Sequence, residues 1–386
     1  MASLLKHWRD SSSLIIASKK LSMPIPRQTF ANKLLKKLPE VAENTNEEFL
    51  RVLLLKRHGN NSFMPNTFVF PGGMINENDF SEEWLDITGC TQDKMELFTK
   101  GRKGPNIFTR ERQTKLPNEI GFRITAIRET FEESGVLLAR PLSDLKDLVH
   151  LSSSSHHPFG ATYCNIPIKT SMSWRNKIIS DPSKFISMCK ELEITPDIWS
   201  LYEWSNWLTP PLKGSRFDTA FFICCVDEAP IVYDSNETEE GVWLSPSGTL
   251  KACAEEIVAL APPQIYELSR LKHFTNIDEL LSVAWTNSFY RSEQWMPVIL
   301  QSQDCLIFAL PGDDLYPSDP DLTGEVASCP MIRTETLDEL QVLFPHHNRI
   351  VLHRNKQMSL YCNLHDLPGY LMPQQFNTTP KTIAVV

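Results

Sequence analysis

An acidic cluster inside an apolar stretch is the feature of this chain that most limits its fold. Glu129, Glu132 and Glu133 lie at offsets of zero, three and four, so a helix would project all three from one face. Like charges this close repel one another, at a cost of roughly a few tenths of a kcal/mol per pair. Because apolar residues flank the cluster on both sides, we predict a site for hard divalent cations, which prefer oxygen ligands, rather than a solvated acidic face.

A pair of glycines lies upstream of this helix, in the string Phe-Pro-Gly-Gly that ends at Gly73. Glycine accepts positive φ angles, so Gly72 and Gly73 allow the backbone to turn sharply and to approach a metal ion or a phosphate. Asp79 follows Gly73 after five intervening residues. Two interpretations of Asp79 stay open, a supporting role in the site or a helix-capping or surface acid.

Together, the two strings resemble the Nudix box: Gly, five residues, Glu, seven residues, then Arg-Glu-apolar-x-Glu-Glu-x-Gly-apolar. Three departures accompany the resemblance. Asp79 stands in place of Glu, Thr130 occupies a position that is usually apolar, and 48 residues separate Asp79 from Arg128 where the pattern has seven. The box is therefore split by an insertion of about forty residues, which a surface loop tolerates because closure entropy grows slowly with length. A split box of this kind resembles that of the acyl-coenzyme A diphosphatases within the Nudix superfamily.

Further segments resemble the same diphosphatases over most of residues 8–265, namely 53–57, 62–65, 204–210, 216–222 and 239–246. The resemblance implies an α/β fold, the Nudix α/β/α sandwich with a mixed sheet, insertions within and after the box, and a C-terminal α+β extension. We accordingly expect three parts, listed by their bounds: an N-terminal segment (1–10), a Nudix domain (11–265, with insertions near 80–118 and 141–203) and the extension (266–386).

The periodicity of the sequence fits this expectation. Apolar runs predict strands near 13–17, 49–55, 66–75, 217–226 and 241–245, and helical patterns lie at 119–134, 174–192 and 246–282. Beyond residue 290 the pattern becomes strand-like again.

The resemblance also implies roles for residues of the box. Glu129 and Glu133 are expected to bind Mg²⁺ or Mn²⁺, and Glu132 is expected to be a third ligand or a catalytic base. Arg128 would orient a carboxylate through a charge-assisted hydrogen bond. For a separate general base we select Glu240, ahead of Glu239 and Glu237 in the same acidic segment; a solvated acidic turn is the alternative for all three.

Substrate binding requires cations near the site. Arg57, Lys213 and Arg216 lie on segments that flank the predicted site and could bind phosphates, including a ribose 3′-phosphate. Each of the three could instead be a surface or structural charge. Together with the glycines at 72 and 73, they are our predicted substrate-binding residues.

The function implied by the resemblance is that of a metal-dependent diphosphatase. It would hydrolyse the pyrophosphate of coenzyme A and acyl-coenzyme A to 3′,5′-ADP and (acyl-)4′-phosphopantetheine. Two alternatives stay open: a substrate such as ADP-ribose, a dinucleotide or an RNA cap, and a Nudix module that binds a nucleotide without catalysis. The three carboxylates argue against the last, because a pure binding module has no need for three repelling charges.

The composition of the chain limits the classes of binding partner that we expect. A net charge of −9 and a pI near 5.6 argue against broad nucleic-acid binding, which depends on Lys and Arg contacts to phosphate; only capped RNA is kept as a nucleic-acid partner. No apolar run approaches the roughly 20 residues that span a bilayer, so we expect no membrane insertion. Nine cysteines without zinc-site spacing indicate a reducing compartment.

The sequence is ambiguous about the subcellular location of the protein. Residues 1–38 carry eight basic residues and the single acid Asp10, which resembles a mitochondrial transit peptide. The apolar run 13–17, however, is predicted to be the first strand of the fold. The resemblance to the diphosphatases implies peroxisomes, although residues 384–386 are not a peroxisomal signal of the Ser-Lys-Leu type. We expect a peroxisomal location, with mitochondria as the alternative.

Overall fold

The computed structural model describes most of the chain, in ranges that define every statement below. These ranges are 8–21, 50–59, 64–90, 106–145, 160–212, 214–229, 238–288, 290, 294–325, 329–366 and 370–376. Within them, no helix has both the length and the apolar character to cross a membrane.

The described chain contains both strands and helices. The strands are β1 (Arg9–Leu21), β2 (Arg51–Arg57), β3 (Thr67–Val69), β4 (Gly72–Met74), β5 (Ala139–Pro141), β6 (Ile194–Pro196), β7 (Tyr202–Leu208), β8 (Phe217–Ala229), β9 (Thr238–Leu244), β10 (Ala259–Leu260), β11 (Gln294–Trp295), β12 (Val298–Gln301), β13 (Cys305–Ala309), β14 (Met331–Ile332), β15 (Asn348–His353) and β16 (Met358–Cys362). The helices are α1 (Glu83–Thr88), α2 (Asn106–Thr109), α3 (Asn118–Ser134), α4 (Ile168–Ser180), α5 (Lys184–Glu191), α6 (Pro246–Ala254), α7 (Pro262–Leu271), α8 (Ile277–Asn287) and α9 (Leu337–Leu343). Short 3₁₀ helices lie at Glu77–Phe80, Leu142–Asp144 and Ile198–Ser200.

A mixed nine-stranded sheet forms the centre of the protein. Its order is β10-β3-β2-β1-β8-β7-β11, with β4 also paired to β1 and β9 to β2. β1 runs parallel to β8 and antiparallel to β4, where Ser12 stands opposite Gly73. The long central strand therefore fixes where the glycine pair lies.

Side chains of β1 alternate between two cores, as the period of a strand requires. Leu14 and Ile16 pack in the core that includes the inner face of α3, whereas Ile15 and Ala17 pack in the core that includes α6 and α7. Helices thus cover both faces of the sheet. This arrangement is the predicted α/β/α sandwich with a mixed sheet.

A second sheet of five strands, β14-β12-β13-β15-β16, forms the C-terminal α+β extension with α9. The extension shares a core with the first sheet, since Trp295 stacks on Tyr370 with ring centroids 4.8 Å apart. The expected boundary between residues 265 and 266 falls inside α7, and β1 already begins at Arg9. The expected boundaries thus fall within a strand and a helix, and the division into domains stays a prediction.

The insertion that splits the box is bound to the sheet by charge. Asp10 and Asp218 stand opposite each other on β1 and β8, and both side chains are fully buried. Arg110, from the insertion, forms ion pairs with both carboxylates, and Arg112 bonds Asp10 at 2.7 Å. Two buried carboxylates side by side require such cations. The described end of the insertion, residues 106–118, is therefore part of the folded domain.

We expect Arg110→Met to lower the free energy of unfolding by roughly 3–5 kcal/mol, because it leaves two buried carboxylates without their shared cation. Denaturant unfolding followed by tryptophan fluorescence measures this change. Lys115→Met is the matched control, since it removes the same charge from a side chain that is 83% exposed. Equal effects of the two substitutions would contradict the anchoring role of Arg110.

Candidate functional site

The glycine pair contacts the acidic helix directly. The amide of Gly72 donates to Oε2 of Glu133 at 2.9 Å. Gly72 has a φ of 151°, and a Cβ atom there would overlap the main chain of Ser12 and Ser13. A Cβ atom at Gly73 would overlap the carboxylate of Glu129. Only glycine allows this close approach of the turn to the helix.

Arg128 lies at the centre of the acidic cluster. Its Nε and Nη2 donate to the two carboxylate oxygens of Asp79 at 2.7 and 2.8 Å. Its Nη1 donates to Oε1 of Glu129 at 2.8 Å and to Oε1 of Glu132 at 2.6 Å. Burial opposes the charge, but the carboxylates, above all Asp79, outweigh it and raise the pKa of Arg128 well above its usual range. The guanidinium of Arg128 thus bonds to three carboxylates, those of Asp79, Glu129 and Glu132.

Asp79 serves both of the roles that its sequence position suggested. It is the third residue of a 3₁₀ helix capped by Asn76. The main-chain amide of Asn76 donates to Oδ2 of Asp79 at 2.9 Å. Thr125 of α3 donates to the same oxygen at 2.8 Å. Asp79 therefore closes its own turn and holds Arg128, and the turn supplies the reach that the shorter side chain lacks.

Glu129 is a buried acid, and the positive charge of Arg128 only partly offsets the effect of burial on its pKa. Burial is the largest cause that raises its pKa to about 7, and the charges of Glu132 and Asp79 raise it further, against the lowering effect of Arg128. The side chains of Glu129 and Glu132 each keep 13% exposure, so solutes reach them from solvent. An additional cation at this position would be favourable.

The donor chemistry fits a hard divalent cation, which prefers several carboxylate oxygens. In the described ranges, however, no group of three or more His, Cys, Asp or Glu side chains already converges as a metal site. The reason is visible in the contacts: Arg128 holds one oxygen each of Glu129 and Glu132, while Gly72 holds Glu133.

Arg57 ends β2, at a point where the register against β9 shifts between Lys56 and Arg57. Leu53 and Leu55 of the same strand pack in the core shared with α3. Its Nε atom is buried and has no hydrogen-bond partner among the described residues. Since a buried donor without a partner is costly, this nitrogen is suited to bind a ligand oxygen.

The guanidinium of Arg216 bonds to main-chain carbonyls. Its Nε donates to the carbonyl of Thr209 at 2.9 Å, its Nη2 donates to the carbonyl of Leu322 at 2.7 Å, and burial lowers its pKa. These bonds join the β7–β8 connection to the C-terminal extension. These contacts favour the structural alternative for Arg216, and its phosphate contact stays a prediction.

The structure does not describe the side chains of two other predicted residues, Lys213 and Glu240. Lys213 lies outside the described residues. The backbone of Glu240 is part of β9 and stands opposite Lys56, but its side chain is outside the described set, as are the side chains of Glu237 and Glu239. Their expected roles stay predictions.

Sequence reasoning missed two residues of the site, Thr125 and Arg175. Thr125 is a polar residue one turn before Arg128 within a buried stretch, a signal that could have indicated it. Arg175 donates to the main-chain oxygen of Glu132 at 2.9 Å from α4. No local pattern predicts that contact, because it joins segments 43 residues apart.

Family models and curated relatives agree on what the chain resembles. A model of the NUDT19 Nudix domain matches residues 8–271, and a model of the NUDT19 C-terminal domain matches residues 299–363. Acyl-coenzyme A diphosphatase NUDT19 of Xenopus laevis is 39% identical over 372 residues, covering 91% of this chain and 92% of that protein. The chain belongs to the NUDT19 family of Nudix hydrolases.

The human member of the NUDT19 family, named acyl-coenzyme A diphosphatase NUDT19, is 34% identical over 355 residues, covering 88% of each chain. A solved NUDIX hydrolase from Alicyclobacillus acidocaldarius is 18% identical, with a TM-score of 0.47, over 71% of this chain and 96% of that one. The family assignment depends on the sequence relatives. It confirms the predicted Nudix resemblance.

Glu129→Gln should stabilise the metal-free protein at pH 8 and not at pH 4. The pKa of Glu129 is raised in the fold from 4.5 to about 7, so the fold penalises its ionised form. The penalty is absent below pH 4.5, grows as the pH rises to 7 and is complete above it, reaching up to roughly 3 kcal/mol. Thermal unfolding in EDTA measures the difference.

Glu119→Gln is the control for this substitution, since Glu119 lies on the same helix but pairs with Arg123 at 3.1 Å. The control should show no gain at pH 8. A Glu129→Gln protein with the same advantage at both pH values would contradict the shifted pKa of Glu129.

Proposed function

We propose that this protein is a metal-dependent diphosphatase that hydrolyses the pyrophosphate of coenzyme A and acyl-coenzyme A. Its products would be 3′,5′-ADP and 4′-phosphopantetheine or the acyl derivative. The observation that carries the proposal is the contact of the glycine turn with the carboxylates of α3, because Gly72 and Gly73 bring a backbone turn against Glu133 and Glu129. The names of the relatives supply the substrate class.

Glu129 and Glu133 would hold Mg²⁺ or Mn²⁺, with Glu132 as a third ligand or as a base. A bound dication acidifies a water molecule and neutralises charge on the leaving phosphate. Arg128 is bonded to Asp79 through two hydrogen bonds and would keep this place beside an ion held by Glu129 and Glu132. Glu240 stays the alternative general base.

Arg57 would bind a substrate phosphate. Support comes from its buried Nε without a partner among the described residues and from its place at the end of β2, a strand whose Leu53 and Leu55 share a core with α3. A guanidinium matches the geometry of phosphate oxygens and binds them through two parallel hydrogen bonds.

Glu133→Gln should lower kcat at least ~100-fold and leave the fold intact. Glutamine keeps an oxygen that accepts the hydrogen bond from Gly72, but it loses the charge that an ion requires. Turnover of coenzyme A in Mg²⁺, with circular dichroism of both proteins, measures the effect. Unchanged turnover would contradict the site assignment.

The identity of the products separates the candidate substrates. Mass spectrometry of reactions with coenzyme A, an acyl-coenzyme A, ADP-ribose and capped RNA should give 3′,5′-ADP from the first two at the highest rate. A preference above about tenfold for ADP-ribose would overturn the substrate assignment. Tight binding of coenzyme A without cleavage would favour a binding module.

Arg57→Met should raise KM for coenzyme A about tenfold with a smaller change in kcat, because it removes a phosphate contact and leaves the ion site in place. Arg51→Met is the control, since Arg51 begins the same strand at its other end. Equal KM values for the two variants would rule out the phosphate contact of Arg57.

We also propose a peroxisomal location, on the family resemblance alone. A mitochondrial presequence that ran through the basic segment 1–38 would take β1 with it, and β1 is the central strand paired with β8. Immunofluorescence of the full-length chain against organelle markers tests the proposal. A mitochondrial signal would contradict it.

A further inference from the structure

The second insertion reaches the acidic helix through one buried arginine. Arg175 of α4 donates from Nη2 to the main-chain oxygen of Glu132 at 2.9 Å, and its Nε lies 3.3 Å from the same oxygen. The residue is 5% exposed. Because α4 belongs to the insertion at 141–203, the contact is an addition to the Nudix box and not a part of it.

The oxygen that Arg175 contacts belongs to the last turn of α3. The helix ends at Ser134, and Gly135 turns the chain with a φ of 76°. In a continuing helix, the amide of Val136 would donate to the carbonyl of Glu132. Here that amide donates to Oγ of Ser134 at 3.1 Å instead. The guanidinium therefore supplies donors where the helix itself no longer does.

The surroundings of Arg175 make the contact rigid. Trp174 and Ile178 of α4 are buried in the same core as Phe131 and Val136, so α4 packs against the end of α3. A cation at the C-terminal end of a helix also interacts favourably with the helix dipole. This end of α3 is the one that carries the acidic cluster, so the charge of Arg175 offsets part of a repulsive arrangement.

We propose that Arg175 is a positioning residue for the metal ligands. It fixes the last turn of α3, so that the carboxylates of Glu132 and Glu133 are held ready for a divalent cation. The inference rests on the proposed metal site but not on the identity of the substrate. Residues that orient metal ligands from outside the coordination sphere typically change metal affinity by about 10- to 100-fold when they are lost.

The test is a titration of the full-length chain with Mn²⁺, in which electron paramagnetic resonance measures the free ion. Arg175→Met removes both the charge and the fork of donors, whereas Arg175→Lys keeps the charge alone. We expect the dissociation constant for Mn²⁺ to rise about tenfold in Arg175→Met and to a smaller extent in Arg175→Lys. If Arg175→Met does not fold, Arg175→Lys still carries the test.

Lys177→Met is the matched control. Lys177 lies on the same helix, contacts the ring of Trp174 at 4.0 Å and loses the same charge on substitution. Its Mn²⁺ affinity should equal that of the native chain. This comparison separates the effect of the hydrogen bonds of Arg175 from the effect of the net charge of α4 on Mn²⁺ affinity.

Three results would overturn the proposal. A lower unfolding temperature with an unchanged Mn²⁺ dissociation constant would show that Arg175 is merely structural. Tighter Mn²⁺ binding in Arg175→Met would show that the residue acts only through its positive charge, which repels the ion. If the native chain bound Mn²⁺ no better than Glu133→Gln, the proposed metal site itself would fail, together with the inference about Arg175.

Discussion

The ion pair between Arg128 and Asp79 is the interaction on which the rest of the site depends. Both side chains are almost fully buried, at 2% and 1% exposure, so each requires the other. The paired hydrogen bonds orient the guanidinium and leave its third nitrogen for Glu129 and Glu132. This single contact also brings together the two halves of the split box, since it joins residues 49 positions apart.

The two insertions support this arrangement from different sides. The first anchors itself on β1 and β8 through Arg110, which neutralises Asp10 and Asp218. The second contacts the end of α3 through Arg175. A helix that carries several acids at its negative end is electrostatically costly. Arg128 and Arg175 both contact the acidic end of α3, and Glu129 still keeps a pKa raised to about 7.

Local patterns predicted the elements that build the site. The helix expected at 119–134 is observed at Asn118–Ser134, because apolar spacing and the glycine that follows are local signals. The glycine turn was predicted for a similar reason, since few residues allow so close an approach. Thr130 departs from the usual pattern without harm because its hydroxyl donates to the carbonyl of Ala126 at 2.7 Å.

Long-range partners could not be predicted in this way. Arg216 was expected to contact phosphate, yet its donors bond to carbonyls of Thr209 and Leu322, the second of which lies 106 positions away. Asp79 left two interpretations open, and its contact with Arg128 depends on how the insertion folds back. The charge of a residue is read from the sequence, whereas its partner depends on the packing of distant segments.

The most direct test of this account is anomalous diffraction from crystals of the native chain soaked in Mn²⁺. We predict one or more manganese peaks within roughly 2–2.5 Å of carboxylate oxygens of Glu129 and Glu133, with Arg128 still bonded to Asp79. A manganese peak elsewhere, with Glu129 and Glu132 still on Arg128 and Glu133 still on Gly72, would contradict the claim that this helix binds the catalytic ion.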